Sequence, residues 1–356
     1  MKKLILFLIG IFFYTSQQAQ SPLQYHTIDN LSILGRAFPN QTFYQRFPDS
    51  LASLLREPVW QLSKNSTGIA ICFETNSTQI SAKWKTGATT SFPHVANTLV
   101  KGLDLYALDH DQWYYVGIGK PNHPVYQEAS IVKDLDGSLK QFVLYLPDYE
   151  TIDSLFIGID STALLQSNSR SVFTKHKPIV FYGTSIVQGA SAMRSGMAYP
   201  AIIERQLKTE TINLGFSGNG QLDSMLAVIM STIDASCYVI DCGPNLSPQQ
   251  AKEKTLPFLK QLKKLSPNTP ILLIEQINYP TARFVASVDE KIKQINKNFA
   301  DAFDTLQKEG VTGIYYLPAK GLIGEDGEAT VDGVHLTDLG FYRMAQSIIK
   351  KLKTIL

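Results

Sequence analysis

Ser185, Asp332 and His335 are residue types that together could attack a carbonyl carbon. Ser185 lies two residues beyond the point where the apolar run Ile179-Val-Phe-Tyr182 breaks at Gly183. A hydroxyl used as a nucleophile needs a neutral base within hydrogen-bond reach, a carboxylate that orients the base, and donors for the oxyanion. After Pro178 the chain contains one histidine, His335, in Val331-Asp-Gly-Val-His-Leu-Thr337. Asp332 precedes it by three residues, so one turn of backbone could bring the carboxylate to the imidazole Nδ1. Each stretch has a plainer reading by itself. Serine is a common turn former, and an Asp-x-x-His pair is ordinarily a helix-capping Asp beside a surface imidazole. What favours the chemical reading is that both fall at carboxyl ends of expected strands, the edge at which open α/β sheets bind ligands.

Donors are available at two more such ends. Thr211-Ile-Asn-Leu214 runs into Gly215-Phe-Ser-Gly218-Asn-Gly220, whose small residues let backbone N–H groups face a ligand at a helix N-terminus. A tight turn is the alternative. A dinucleotide loop fits poorly, because this G-x-x-G-x-G spacing follows the second expected strand and lacks the expected context. Tyr238-Val-Ile-Asp241 runs into Cys242-Gly-Pro-Asn245 and sets a side-chain amide at the same edge, although an Asn beside Pro is otherwise a turn residue.

The elements that must gather these loops follow Pro178. Short apolar runs at 179–182, 211–214, 238–241, 271–275 and 313–317 are expected strands. Between them Leu222, Met225, Leu226 and Ile229 fall at helical spacing, as do Leu256, Leu259 and Leu262, while 291–308 and 339–352 are further helical stretches. Strands alternating with helices imply right-handed crossovers and a parallel sheet covered on both faces. For roughly 180 residues this means a five-stranded, three-layer α/β/α domain, 179–356.

The first half is different in kind. Ile69, Ile71 and Phe73 alternate with Ala70, Cys72 and Glu74; Ile80, Ala82 and Trp84 alternate with Ser81, Lys83 and Lys85. Across the polar turn between them, this predicts a hairpin with one buried face. Further strands are expected at 102–108, 112–118, 141–146 and 154–159, with a helical period only at 50–55. The expectation for 21–165 is an all-β sandwich of jelly-roll type, joined by a polar linker, 166–178, to the α/β domain. Residues 1–20 begin with Lys2 and Lys3 and continue through an apolar run at 4–14 too short to span a bilayer, the pattern of a secretory signal peptide. Export, periplasmic or beyond, is therefore expected, with no integral membrane segment after cleavage. A net charge of +2 without a Lys/Arg block gives no reason to expect nucleic acid. Three cysteines, Cys72, Cys237 and Cys242, cannot form a disulfide framework and read as buried small residues; with the histidines they show no zinc-site spacing.

Loops holding Ser, Gly, Asn and Asp-x-x-His in that order resemble the block pattern of the SGNH (GDSL-like) hydrolase superfamily, over residues 178–356. The resemblance implies Ser185 as nucleophile, Gly218 and Asn245 as oxyanion donors with Gly215 the weaker choice, and Asp332 and His335 as the rest of the triad. Gly102-Leu-Asp-Leu-Tyr106 also resembles a Gly-x-Asp-Leu-Tyr motif in the β-sandwich that precedes such domains in some bacterial members, and Tyr182-Gly-Thr-Ser185 with Met197-Ala-Tyr199 looks like the variant pattern of that subgroup. Two departures bear on the substrate pocket: Thr184 stands where many relatives carry Asp, and Leu246 follows Asn245 where they carry Asp. The implied activity is a serine esterase needing no cofactor or metal, acting on a small-molecule or polysaccharide ester, with O-acetyl groups on carbohydrates the expected substrate. The rival readings are a glycan-binding or surface-interaction protein with an inert hydrolase domain, and a lipase, for which the chain offers no extended apolar lid. Trp84, Trp113 and Tyr114 are candidates for sugar contact, and Tyr279 and Arg283 for substrate contact.

Overall fold

The computed structural model describes residues 22–38, 41–42, 44–88, 92–167, 173 and 176–356. The expected signal peptide at 1–20 and much of the expected linker lie outside the described residues. Among the described residues of the first half, ten strands form two antiparallel sheets. One orders β1 (Leu23–Thr27), β9 (Ile152–Asp160), β4 (Ile80–Thr86) and β7 (Tyr126–Val132). The other orders β10 (Leu165–Ser167), β3 (Ala70–Thr75), β8 (Lys140–Tyr145), β5 (Leu103–Asp109) and β6 (Gln112–Gly119), with β2 (Ser32–Leu34) also paired to β3. Their facing sides close over Ile71, Phe73, Trp84, Leu105, Phe142 and Ile157.

Two expectations are corrected here. β3 and β4 are not a hairpin: β3 pairs with β8 and β4 with β9, so the turn between them passes from one sheet to the other. Nor does β3 have a single buried face. Ala70 and Cys72, on its other side, pack with Tyr106, Tyr145 and Ala201, because the six-stranded sheet is itself covered by the second half of the chain. Trp84 is 2% exposed and gives its Nε1 proton to the Lys101 carbonyl, so it is a core residue and not a sugar contact.

The second half has the expected parallel sheet, ordered β12 (Thr211–Gly215), β11 (Ile179–Gly183), β13 (Cys237–Asp241), β14 (Ile271–Ile274) and β15 (Ile314–Leu317). Helices α5 (Ser224–Ser231), α6 (Pro248–Leu265) and α7 (Ala286–Lys308) cover one face, meeting Val180, Tyr182, Leu214 and Ile240. Helices α3 (Ser185–Gln188), α4 (Tyr199–Leu207) and α8 (Asp338–Leu352) cover the other, meeting Phe181, Val239 and Leu272. Strands buried on both faces explain why the runs read as continuously apolar. The chain leaves β11 for β12 at the sheet edge and returns to β13 on the other side of β11, which puts the topological switch at the carboxyl ends of β11 and β13. Cys72, Cys237 and Cys242 are buried. Among the described residues no helix is long and apolar enough to cross a membrane.

The two halves share cores. Phe47, Val59 and Trp60 join the α5–α6–α7 face, and Val95, Leu99, Val100 and Tyr149 join the other. Burying side chains of this size stabilises by roughly 1.5–3 kcal/mol each, so these segments are held against the α/β layer rather than tethered to it. The Gly-x-Asp-Leu-Tyr motif lies at the same junction. A Cβ on Gly102 would come within 2.4 Å of the Thr98 carbonyl, which leaves room only for glycine at the exit of the short helix α2 (Asn97–Val100). Buried Asp104 accepts from Arg194 Nη1 at 2.7 Å and from the Gly196 N–H at 2.9 Å. The Tyr106 ring carries the Arg205 guanidinium 3.9 Å from its centre. The motif therefore ties β5 to the loop that follows α3.

Candidate active site

Ser185 is the first residue of α3, immediately beyond β11. Thr184 caps this helix, its side chain accepting from the Ile186 N–H at 3.2 Å, and Gly189 ends it in the left-handed region. Threonine here performs the capping that an aspartate at this position could also perform. Beyond β15, a long loop returns over the carboxyl edge of the sheet and narrows to a bridge between Thr330 and Leu336. Within it the Val331 N–H donates to the His335 carbonyl at 2.8 Å, and Thr337 caps α8.

This turn brings the expected residues together. Asp332 Oδ1 accepts from the Val334 and His335 N–H groups at 3.0 and 2.8 Å, which fixes the carboxylate, and Oδ2 lies 2.8 Å from His335 Nδ1. His335 Nε2 lies 3.0 Å from Ser185 Oγ. An ionised carboxylate only accepts, so the imidazole proton belongs on Nδ1 and the lone pair of Nε2 faces the serine. Partial burial works against the charge on Asp332, but the His335 ring and the two backbone donors outweigh it and hold the carboxyl down to about 2. The site thus keeps a carboxylate, an oriented imidazole and a hydroxyl in line.

The two donor loops are joined to it. The Ser217 N–H donates to Gln188 Oε1 at 2.9 Å, tying the glycine loop to α3. The Gly220 N–H donates to Asn245 Oδ1 at 3.1 Å, which turns the Asn245 amide nitrogen outward with no protein partner among the described residues. Gly218 is exposed, adopts φ +69°, and has open space where a Cβ would be. Its N–H is likewise unengaged among the described residues. Gly215 is different. Its N–H already donates to Asn213 Oδ1 at 2.9 Å, and a Cβ there would lie 2.2 Å from Gln188 N, so this glycine serves close packing of β12 on α3. Tyr279 is half-buried and Arg283 exposed, both in the segment after β14, where Thr281 lies so near the Asp332 turn that a Cβ on Gly333 would come within 3.3 Å of its Cγ2.

Several supporting residues had no signal in the sequence. Tyr149 donates its hydroxyl proton to the Ser185 carbonyl at 3.4 Å, and buried Arg46 donates to the Gly215 carbonyl at 2.5 Å, its own pKa pushed down to about 9 by burial. His94, also from the first half, stacks on His335 with ring centres 4.8 Å apart and planes 25° from parallel. His94, Asp332 and His335 each bring one donor atom to within 4.8 Å of the others. Nitrogen lone pairs lie in their ring planes, however, and two rings face to face do not converge on one ion.

Beneath the site, Asp241 ends β13, 2% exposed, and accepts from the Tyr199 hydroxyl at 3.1 Å. Burial lifts its pKa from 3.8 to about 7, the tyrosine hydrogen bond offsetting part of the rise. The folded state then retains a proton that the unfolded chain releases above about pH 4, so this contribution to stability is full at acid pH and declines as pH rises towards 7. Asp241→Asn keeps an acceptor for Tyr199 and cannot ionise. Denaturant unfolding between pH 4 and 8 should show the variant losing less stability over that interval than the parent, by on the order of 3 kcal/mol. Buried Glu204, also lifted to about 7, supplies a residual slope in both proteins. Parallel curves would show that Asp241 does not titrate in that window.

Residues 176–353 match the GDSL-like Lipase/Acylhydrolase family, and residues 23–165 match the family described as the N-terminus of Esterase_SGNH_hydro-type. No curated protein matches the sequence. Among solved structures, a GDSL-like lipase from Bacteroides ovatus shares 35% identity at a TM-score of 0.90, over 94% of this chain and 98% of that one. The salicylyl-acyltransferase SsfX3 from a tetracycline biosynthetic pathway shares 16% at 0.74, over 93% and 97%. The acetyl xylan esterase Est2A from the rumen bacterium Butyrivibrio proteoclasticus shares 12% at 0.57, over 94% and 98%. The last two are likenesses of fold.

Proposed function

The chain belongs to the GDSL-like lipase/acylhydrolase family and is a carboxylic ester hydrolase, and from that premise we propose that Ser185, His335 and Asp332 remove O-acetyl groups from carbohydrates in two steps. The observation that carries the reading is the continuous chain of contacts from Ser185 Oγ to His335 Nε2 at 3.0 Å and from His335 Nδ1 to Asp332 Oδ2 at 2.8 Å. Ser185 Oγ attacks the ester carbonyl as His335 Nε2 takes its proton. The tetrahedral oxyanion is held by the N–H groups of Ser185 and Gly218 and the side-chain amide of Asn245. His335 then protonates the departing sugar oxygen, leaving an acyl-serine. Water attacks this intermediate as His335 takes its proton; His335 then returns that proton to Ser185 Oγ as the acyl–oxygen bond breaks, and acetate leaves. Asp332 keeps the imidazole in the reactive tautomer and offsets its positive charge in each step.

Acetyl groups on glycans are favoured by the β-sandwich packed on the hydrolase half and by the likeness in fold to an acetyl xylan esterase. The basic and apolar start of the chain supports action outside the cytoplasm, where such glycans are met. The test is hydrolysis of synthetic esters of increasing acyl length, followed by acetate release from acetylated polysaccharide. Rates that peak at acetyl, with acetate released, support the reading; rates that rise with chain length would replace it with a lipase. Asn245→Ala supplies a separate check on the oxyanion donors. Removing one such donor is expected to lower kcat by about 10²- to 10³-fold with little change in KM. An unchanged kcat would remove Asn245 from the mechanism.

A further inference from the structure

We infer that His94, carried by the β-sandwich half, is a positioning residue that fixes the plane of the His335 ring, so that the hydrolytic site is assembled from both halves of the chain. The inference rests on the triad reading above. His335 is held by Asp332 at one ring nitrogen and Ser185 at the other. Two hydrogen bonds at opposite ends of a ring define a line, and tilt about it is limited only by the side-chain torsions and by what packs on the ring face. A roll swings the Nε2 lone pair away from the serine and, later, the Nε2–H away from the departing oxygen. The His94 ring, 4.8 Å away and 25° from parallel, is the surface that resists this motion.

His94 can do this because its backbone is anchored in the core of the other half. Val95, its neighbour, is 7% exposed and packs with Leu99 and Val100 into the cluster that contains Ile186, Val187 and Leu336. The Val95 N–H closes a turn onto the Phe92 carbonyl at 3.2 Å, and Phe92 meets the Tyr149 ring edge-on at 5.8 Å. Tyr149 in turn donates to the Ser185 carbonyl. Two stretches of the sandwich half, packed on each other through Phe92 and Tyr149, therefore touch the base and the backbone of the nucleophile.

The experiment compares His94→Ala and His94→Phe in the full chain on a short-chain ester, with active sites counted by end-point fluorophosphonate titration so that only folded, reactive molecules enter kcat. His94→Ala is expected to lower kcat about 10-fold while KM stays within about 2-fold, the size of effect that a loosened catalytic geometry produces. His94→Phe, which keeps a flat ring and loses both nitrogens, should recover kcat to within about 3-fold of the parent. A fully active Ala variant overturns the inference. So does a Phe variant as slow as Ala, which would mean that the imidazole nitrogens matter and not the ring face. A change confined to KM would make His94 a substrate contact and also overturn it. Ser185→Ala is run alongside: turnover retained there sinks the triad reading itself, whereas indifference at His94 in an enzyme that needs Ser185 sinks only the present inference.

Discussion

Ser185→Ala is expected to lower kcat/KM for an acetyl ester by about 10⁴- to 10⁶-fold. The substitution takes away one oxygen at a site that is 5% exposed and leaves the α3 cap at Thr184 and the turn at Gly189 as they are. The fold should therefore survive, and thermal unfolding should move by no more than a few degrees, as expected for a change below about 1 kcal/mol in a chain of this size. What is lost, on the proposed mechanism, is the atom that forms the acyl intermediate. His335 would then face a methyl group, and the residual rate would come from oxyanion binding and orientation alone. A double variant, Ser185→Ala with His335→Ala, should be no slower than either single change, because residues that act as one unit do not contribute additively. Labelling by a fluorophosphonate should disappear in the same variant. Near-native turnover by Ser185→Ala would move the nucleophile elsewhere in the molecule.

What could be read in advance was set by whether a signal is local. Four strands of the α/β half are fully buried and the edge strand β15 is half-buried, so they read as short apolar runs, and the loops after them carry Ser185 and the Asp332–His335 turn within a few residues, so the juxtaposition of these residues is legible from spacing. The choice between Gly215 and Gly218 depends on Asn213 taking up the Gly215 N–H, a contact at the end of β12 that spacing does not reveal. α4 carries no such signal because its burial does not follow polarity: the helix is short, and its buried side includes Glu204, which accepts from the Tyr145 hydroxyl and the Thr211 N–H. β7 was missed for a similar reason. Its buried Gln127 looks polar, and it is tolerated there because its Oε1 accepts from the Asn122 and His123 N–H groups. The β3–β4 error has the same root, since alternation tells which way a side chain points but not which strand lies alongside. His94 is the extreme case. Nothing in the residues around it marks a contact with His335, because that contact exists only after two separately patterned halves have packed together.

Asp332→Asn should reduce kcat/KM by about 10³- to 10⁴-fold while leaving the turn around His335 in place. The carboxylate does two separable things. Oδ1 accepts from the Val334 and His335 N–H groups and shapes the turn; Oδ2 accepts from the His335 Nδ1–H. An asparagine can keep the first, with its carbonyl oxygen on the two backbone donors. It then presents an amide N–H to Nδ1, which must become an acceptor, and the ring proton moves to Nε2. Ser185 would then meet an N–H where it needs a lone pair, and the base would be lost by tautomer rather than by position. Asp332→Ala loses the turn as well, so it should be both inactive and less stable, whereas the Asn variant should unfold close to the parent. The pH dependence separates this from a simple loss of charge. With the Asp332 carboxyl held down to about 2, the parent keeps its carboxylate across the whole working range, and no rise in pH should restore activity to the Asn variant. The measurement is kcat/KM from pH 5 to 9 for the parent and both variants, with unfolding at each pH. An Asn variant within tenfold of the parent would mean that the His335 tautomer is fixed by something other than Asp332.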